Sequence, residues 1–211
     1  MSVRLCAAVF LLAAIHPVSA QGTRGTPEPI GFDRGGGSYH GGLISPPLAK
    51  PTFVLTDTSG APFNLESRTR GYVTLLFFGY TNCPAMCPLE MSTIAKALGK
   101  LPADVGDQLR VVFVTTDPAR DRPPVLRAWL DHFDRRFIGL TGSDAAIEAA
   151  QIAAGIPPAR KSAVRADGAY EVGHASFVLA YTKDNLAHVL YPIGVKLEDL
   201  VYDLPRLVVR K

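Results

Sequence analysis

The sequence predicts an α/β domain built on a mixed central β-sheet flanked by helices, and three observations predict it. Two continuous apolar runs, "YVTLLFF" (72–78) and "LRVVFVTT" (109–116), are separated by a segment of helical character. A later stretch, "ASFVLAYTKDNLAHVLY" (175–191), is two apolar strands around Lys183-Asp184-Asn185. An earlier one, "TFVLTDTSGAPFNL" (52–65), is two short apolar runs around Ser59-Gly60. Apolar residues make up 47% of the chain, enough for one domain with a sizeable core.

The N-terminus bears on the compartment. "MSVRLCAAVFLLAAIHPVSAQG" carries a basic Arg4, an apolar run from Leu5 to Ile15, and small residues at Val18 and Ala20. That is the pattern of a secretory signal peptide over 1–20, cleaved after Ala20. The apolar run is about half of the ~20 residues a spanning helix needs, and His16 and Pro17 end it. The expected location is therefore the periplasm; an uncleaved segment would instead tether the protein to the inner membrane. Cys6 leaves with this segment, so Cys83 and Cys87 are the two cysteines of the mature chain. Removing Arg4 takes the formal charge from +3 to +2. The lysines and arginines are scattered, which offers no electrostatic footprint for nucleic acid.

Residues 21–48 are rich in Gly and Pro and show no apolar periodicity, so they read as a flexible leader in which His40 is a solvated linker histidine. The folded domain is assigned to 49–211. It opens with the 52–65 hairpin, an N-terminal extension of the sheet. "YVTLLFF" has the continuous apolarity of a central strand buried on both faces. The cysteines come directly after it. Behind them "PLEMSTIAKALGK" (88–100) predicts a helix, with Pro88 at its first position and Gly99 at its C-terminal cap. That helix makes a crossover to "LRVVFVTT", so the two strands should be parallel.

Further helices are predicted over Pro124–Phe133 and Asp144–Ala154, with a short strand "RFIGL" (136–140) between them. Pro158 to Gly173 read as a loop, then comes the 175–191 antiparallel hairpin. Leu197, Leu200, Val201 and Leu204 have helical spacing, with Pro205 expected to stop or kink the helix. The order βαβα and then ββα is the thioredoxin-like arrangement.

The chemistry centres on "FFGYTNCPAMCPLE" (77–90). A stabilising disulfide between Cys83 and Cys87 is disfavoured by geometry. Side chains four apart on a helical turn have Cβ atoms ~5–6 Å apart, whereas a relaxed disulfide wants ~3.8 Å. A loop this short also gains little entropically. A helix N-terminus favours negative charge, so both thiol pKa values should be depressed. Thiolates serve disulfide exchange and also bind Cu(I), and the pair alone does not choose between these roles.

Of the remaining histidines, His174 comes after a loop and precedes the strand "SFVLAY", at a turn that could face the cysteines. A surface loop histidine is the competing reading. With two thiols it would complete an S₂N set, which suits copper in both oxidation states. Zinc could use the same three groups, but structural zinc usually takes four protein ligands. His188 and His132 read as packing or surface residues.

"FFGYTNCPAMCP" resembles the cysteine motif of the Sco/SenC copper chaperones, thioredoxin-like proteins attached to or exported across bacterial and mitochondrial inner membranes. "VVFVTTDPARD", "RFIGLTG" and "VGHASFVLAY" are similar to further segments of that family, so the resemblance spans roughly Pro51 to Leu204. It implies that Cys83, Cys87 and His174 bind copper, Cu(I) or Cu(II), with Asp117 as a nearby supporting residue. It also implies delivery to the binuclear copper centre of cytochrome c oxidase subunit II or another copper acceptor, with a copper donor upstream. The alternative is a thiol-disulfide oxidoreductase that reduces a client's cysteines. Against it, thioredoxin-type enzymes have two residues between their cysteines where this chain has Pro84, Ala85 and Met86, and a cis-proline where this chain reads His174-Ala175-Ser176. A peroxidase of the same fold is a third possibility, but it would need no distant histidine.

Overall fold

The computed structural model describes residues 32–33 and 38–210. The signal peptide assigned to 1–20 and most of the leader lie outside the described residues. Strands β1 (Phe32–Asp33), β2 (Gly42–Ala49), β3 (Val54–Asp57) and β4 (Pro62–Asn64) precede the short helix α1 (Leu65–Arg68). Then come β5 (Val73–Gly79), α2 (Met86–Lys100), α3 (Ala103–Gly106), β6 (Leu109–Thr115), α4 (Pro123–Asp131), β7 (Ile138–Thr141) and α5 (Asp144–Ala153). The C-terminal part holds β8 (Arg160–Lys161), β9 (Val172–Gly173), β10 (Phe177–Tyr181), β11 (Leu186–Pro192) and α6 (Leu197–Val209).

Among the described residues the main sheet runs β1-β2-β11-β10-β5-β6-β7-β3-β4. β5, β6 and β7 are parallel neighbours, and β10 joins β5 antiparallel. The sheet is therefore mixed, as the crossover helix and the two hairpins require. All seven residues of β5 are buried. Val73, Leu75 and Phe77 face one core with α2, α4 and α6, while Leu76 and Phe78 face another with α1 and α5. Burying a large apolar side chain is worth about 1.5–3 kcal/mol, so packing on both faces anchors β5 firmly. The cysteine loop begins where it ends.

Five expectations need correction. The leader is shorter than 21–48, because Gly42–Ala49 is strand β2, paired with β11. Its prolines stand where the pairing shifts register, between the Leu43 and Leu48 partnerships, where a missing N–H costs no ladder bond. His40 is no free linker residue: its Nδ1 lies 2.9 Å from Asp199, and its ring stacks on Tyr202 at 4.2 Å. The buried carboxylate of Asp203 accepts the backbone N–H groups of His40 and Gly41, which ties this segment to α6.

The cysteine helix begins earlier than Pro88, at Met86, and runs past Gly99 to Lys100. Pro88 then sits in the first turn, where its missing N–H would have had no intrahelical partner. The 158–173 segment is not all loop, since β8 and β9 pair there. Finally, α6 continues through Pro205 to Val209. Leu207 and Val208 beyond the proline are buried, and their burial offsets the lost helical bond.

Candidate metal centre

β5 ends at Gly79, and the chain turns through Tyr80 to Cys83, whose N–H donates to the Tyr80 carbonyl at 3.2 Å. Gly79 leaves room for the sulfur of Cys87. A Cβ at position 79 would come within 2.8 Å of Cys87 Sγ and of the Phe77 ring. The Gly79 carbonyl accepts the Thr116 N–H at 2.7 Å, so the end of β5 is pinned to the end of β6. Cys83 lies before α2 and Cys87 in its first turn. The helix cap, Ala85, supplies no side-chain bond. Instead the Cys87 N–H points at Cys83 Sγ from 3.4 Å, so the first thiol receives an otherwise orphaned helix donor.

His174 comes from the connection between β9 and β10, and β10 is the antiparallel neighbour of β5. Its Nε2 is 3.5 Å from Cys87 Sγ. Its Nδ1–H donates to the Ala175 carbonyl at 2.9 Å, which leaves the Nε2 lone pair facing the thiols. The ring meets Phe77 and Tyr80 edge-on, at centroid distances of 6.0 and 5.7 Å. The ligand atoms of Cys83, Cys87 and His174 all lie within 4.8 Å of one another. Donors about 2.0–2.3 Å from one ion stand about 3.5–4 Å apart, so little closing movement is needed. The structure thus brings together the three residues singled out from sequence.

The two thiols differ, which corrects the expectation that both are acidic. Burial raises the pKa of Cys83, but the N–H groups of Cys87, Ala85 and Met86, with the Cys87 thiol, outweigh it and bring the pKa below the usual value. Cys87 is fully buried, and burial pushes its pKa far up, with the neighbouring Cys83 charge adding to the shift. Burial also lowers the pKa of His174, more than the backbone carbonyls of Ala175 and Phe78 raise it. A neutral imidazole, one thiol that ionises more readily than usual and one that ionises when a cation replaces its proton form a soft donor set.

Asp117 does not reach the donors. It is buried behind them, accepting from Arg120 Nε and from the Tyr170 hydroxyl at 2.8 Å. Asp121 accepts the Thr81 N–H at 2.9 Å and the Thr115 hydroxyl at 2.6 Å. Sequence reasoning missed Thr81, Arg120, Asp121 and Tyr170 as supports; the closely spaced charges in "DPARD" were the available signal. His188 pairs with Asp184 at 2.7 Å and His132 with the Ala128 carbonyl at 2.6 Å, both away from the cysteines. No helix among the described residues is long and apolar enough to cross a membrane.

Comparison with known proteins places the chain among its relatives. A family model described as SCO1/SenC matches residues 43–208. A protein of Stutzerimonas stutzeri is 35% identical over 170 residues, covering 79% of this chain and 80% of its own length. The apo Sco1 protein from Thermus thermophilus superimposes with a TM-score of 0.72 at 32% identity, over 80% of this chain and 96% of that one. Bradyrhizobium japonicum ScoI with copper bound gives a TM-score of 0.67 at 29% identity, over 76% of this chain and 99% of that one. With the family model matching residues 43–208 and the fold shared with these structures, this chain belongs to the SCO1/SenC family.

Proposed function

We propose that this chain is an exported metallochaperone that carries one copper ion on Cys83, Cys87 and His174. Its acceptor would be the binuclear copper centre of cytochrome c oxidase subunit II, and an upstream donor would load it. The observation that carries the reading is the convergence of two sulfurs and one imidazole nitrogen within 4.8 Å. The copper-bound state of the similar B. japonicum ScoI supports the choice of metal. Export rests on the N-terminal sequence pattern, and the acceptor on the family resemblance.

The site's own groups suit uptake and release. Cys83 ionises first and is the thiol nearest solvent, at 8% exposure against 0% for Cys87. An incoming copper ion meets the more readily ionised Cys83 thiol before it displaces the Cys87 proton. His174 presents a neutral nitrogen, which can be exchanged for an acceptor ligand without moving a charge. Met86 and Leu89, 41% and 53% exposed, lie on the cysteine helix beside the site as apolar surface for a docking acceptor.

The test is an anaerobic Cu(I) titration of the reduced protein against a competing chelator, repeated after thiol oxidation and with Cys83→Ser and Cys87→Ser. One-to-one binding that disappears on oxidation and in both variants is the expected result. Transfer is then read from the visible absorption of the soluble copper domain of subunit II. Absence of Cu(I) binding, together with reduction of that domain's disulfide, would overturn the reading in favour of a thiol-disulfide oxidoreductase.

A further inference from the structure

The two loops that carry the donors do not touch the sheet in the same way. The cysteine loop continues from a fully buried strand, but the histidine loop spans 158–176 and its only strands are the two-residue β8 and β9. Residues 160–169 are almost all exposed. One short segment, Asp117 to Asp121, reaches both loops. It is itself secured at the end of β6, because the Thr115 hydroxyl donates to Asp121 and accepts the Asp117 N–H at 3.0 Å.

On the cysteine side, Asp121 takes both the N–H and the hydroxyl of Thr81, at 2.9 and 2.5 Å, two residues before Cys83. On the histidine side, Arg120 donates to the Tyr170 carbonyl at 3.2 Å, and its guanidinium lies 3.8 Å above the Tyr170 ring. The Tyr170 hydroxyl returns to Asp117 at 2.8 Å, and Lys161 Nζ, from β8, stands 3.9 Å from the same carboxylate. Arg120 also faces the Tyr80 ring at 5.7 Å, and Tyr80 meets His174 edge-on at 5.7 Å. These carboxylates are buried, and charge-assisted bonds away from water are stronger than neutral ones. The contacts therefore determine where each loop stands.

We propose that the Asp117–Asp121 segment is a two-sided positioning device for the metal centre. Asp121 sets the cysteine pair through Thr81, Arg120 and Asp117 set His174 through Tyr170, and the two halves, anchored together at Thr115, act mainly on different donors. The proposal rests on the copper reading above and assigns Thr81, Arg120, Asp121 and Tyr170 as positioning residues that touch no copper. Separation arises from the donors' chemistry. Cu(I) is satisfied by two thiolates, whereas Cu(II) gains more from imidazole, so loosening the histidine half should discriminate between oxidation states. Loosening the cysteine half should not.

The experiment compares wild type, Tyr170→Phe and Thr81→Val, with Thr81→Ser as the conservative replacement and Arg165→Gln as an exposed control in the histidine loop. Cu(I) and Cu(II) are titrated separately, the Cu(II) paramagnetic resonance spectrum is recorded, and the His174 ring resonances are tracked by NMR in the metal-free protein. Changes in groups supporting metal ligands cost about 10- to 100-fold in affinity. Tyr170→Phe should therefore weaken Cu(II) binding about tenfold, alter its spectrum and shift the His174 resonances, with Cu(I) affinity unchanged. Thr81→Val should weaken both ions alike and shift the thiol-disulfide midpoint, and Thr81→Ser should restore both.

An unaltered Cu(II) spectrum and unmoved His174 resonances in Tyr170→Phe would overturn the proposal. So would a Thr81→Val protein impaired for Cu(II) alone. If wild type binds neither ion, the copper reading fails, while the His174 resonances and the thiol midpoint still decide the positioning roles.

Discussion

Sγ of Cys87 and Nε2 of His174 lie 3.5 Å apart although 87 residues separate them in the chain. Phe77 and Tyr80 enclose the imidazole edge-on, and Gly79 leaves the sulfur the space it occupies. A soft nitrogen-sulfur pair is thus in place before any ion arrives.

Replacing His174 with Ala removes the single nitrogen donor. Cu(II) affinity should fall by at least about tenfold, and Cu(I) affinity should fall less, because both thiolates remain. Separate titrations with the two ions check this; equal retention of both affinities would exclude His174 as a ligand.

Cys83, with its lowered pKa, holds more thiolate at neutral pH than Cys87, whose pKa burial drives up. Iodoacetamide should therefore modify Cys83 first, with the rate rising as pH increases through the Cys83 titration, and Cys87 should react slowly until the protein unfolds. Peptide mass spectrometry after timed quenching reads the order. Equal rates at the two sites would contradict the asymmetry.

A methyl group at position 79 has nowhere to go. Gly79→Ala would place Cβ 2.8 Å from both Cys87 Sγ and the Phe77 ring, and 3.1 Å from the Phe113 ring. Overpacking of a core costs about 1–3 kcal/mol. The expected result is a lower midpoint in thermal or urea unfolding, together with weaker copper binding from a displaced Cys87. Wild-type values for both would show that the strand end can shift freely.

Glu90 gives the fold a pH dependence of its own. It is 1% exposed, Oε2 accepts only the Gly194 N–H at 3.2 Å, and Oε1 has no partner. Burial raises its pKa to about 7 from 4.5. The folded protein therefore holds the proton more tightly than the unfolded chain. The associated stability is complete below about pH 4.5 and is lost as pH rises through about 7. Glu90→Gln should stabilise the protein by about 2–3 kcal/mol above pH 8 and by little near pH 4. Urea unfolding at the two pH values measures the difference, and a gain independent of pH would place the effect elsewhere.

Much of the architecture was legible because burial is written into local pattern. Val73 to Phe78 are apolar with one interruption, Thr74, and such a run fits a strand covered on both faces. The spacing of Cys83 and Cys87 behind it was legible for the same reason, since the end of a buried strand sets where the next loop starts. β2 was not legible, because Gly42–Ala49 has neither alternation nor a continuous apolar run; its partner β11 supplies the order. The path of α6 through Pro205 was equally hidden, because the burial of Leu207 and Val208 is a property of the assembled core.

The sequence by itself determined the strand-loop-helix unit, the pair of thiols and the helix donors that favour a thiolate at Cys83. Those features are local, and backbone geometry with hydrogen-bond requirements dictates them within a few residues. Tertiary structure alone decided that His174 would face Cys87, that Cys87 would lose its acidity, and that Asp117, Arg120, Asp121 and Tyr170 would join the two loops. Each depends on which distant groups exclude water from one another, and water exclusion belongs to the packed chain, not to any stretch of it.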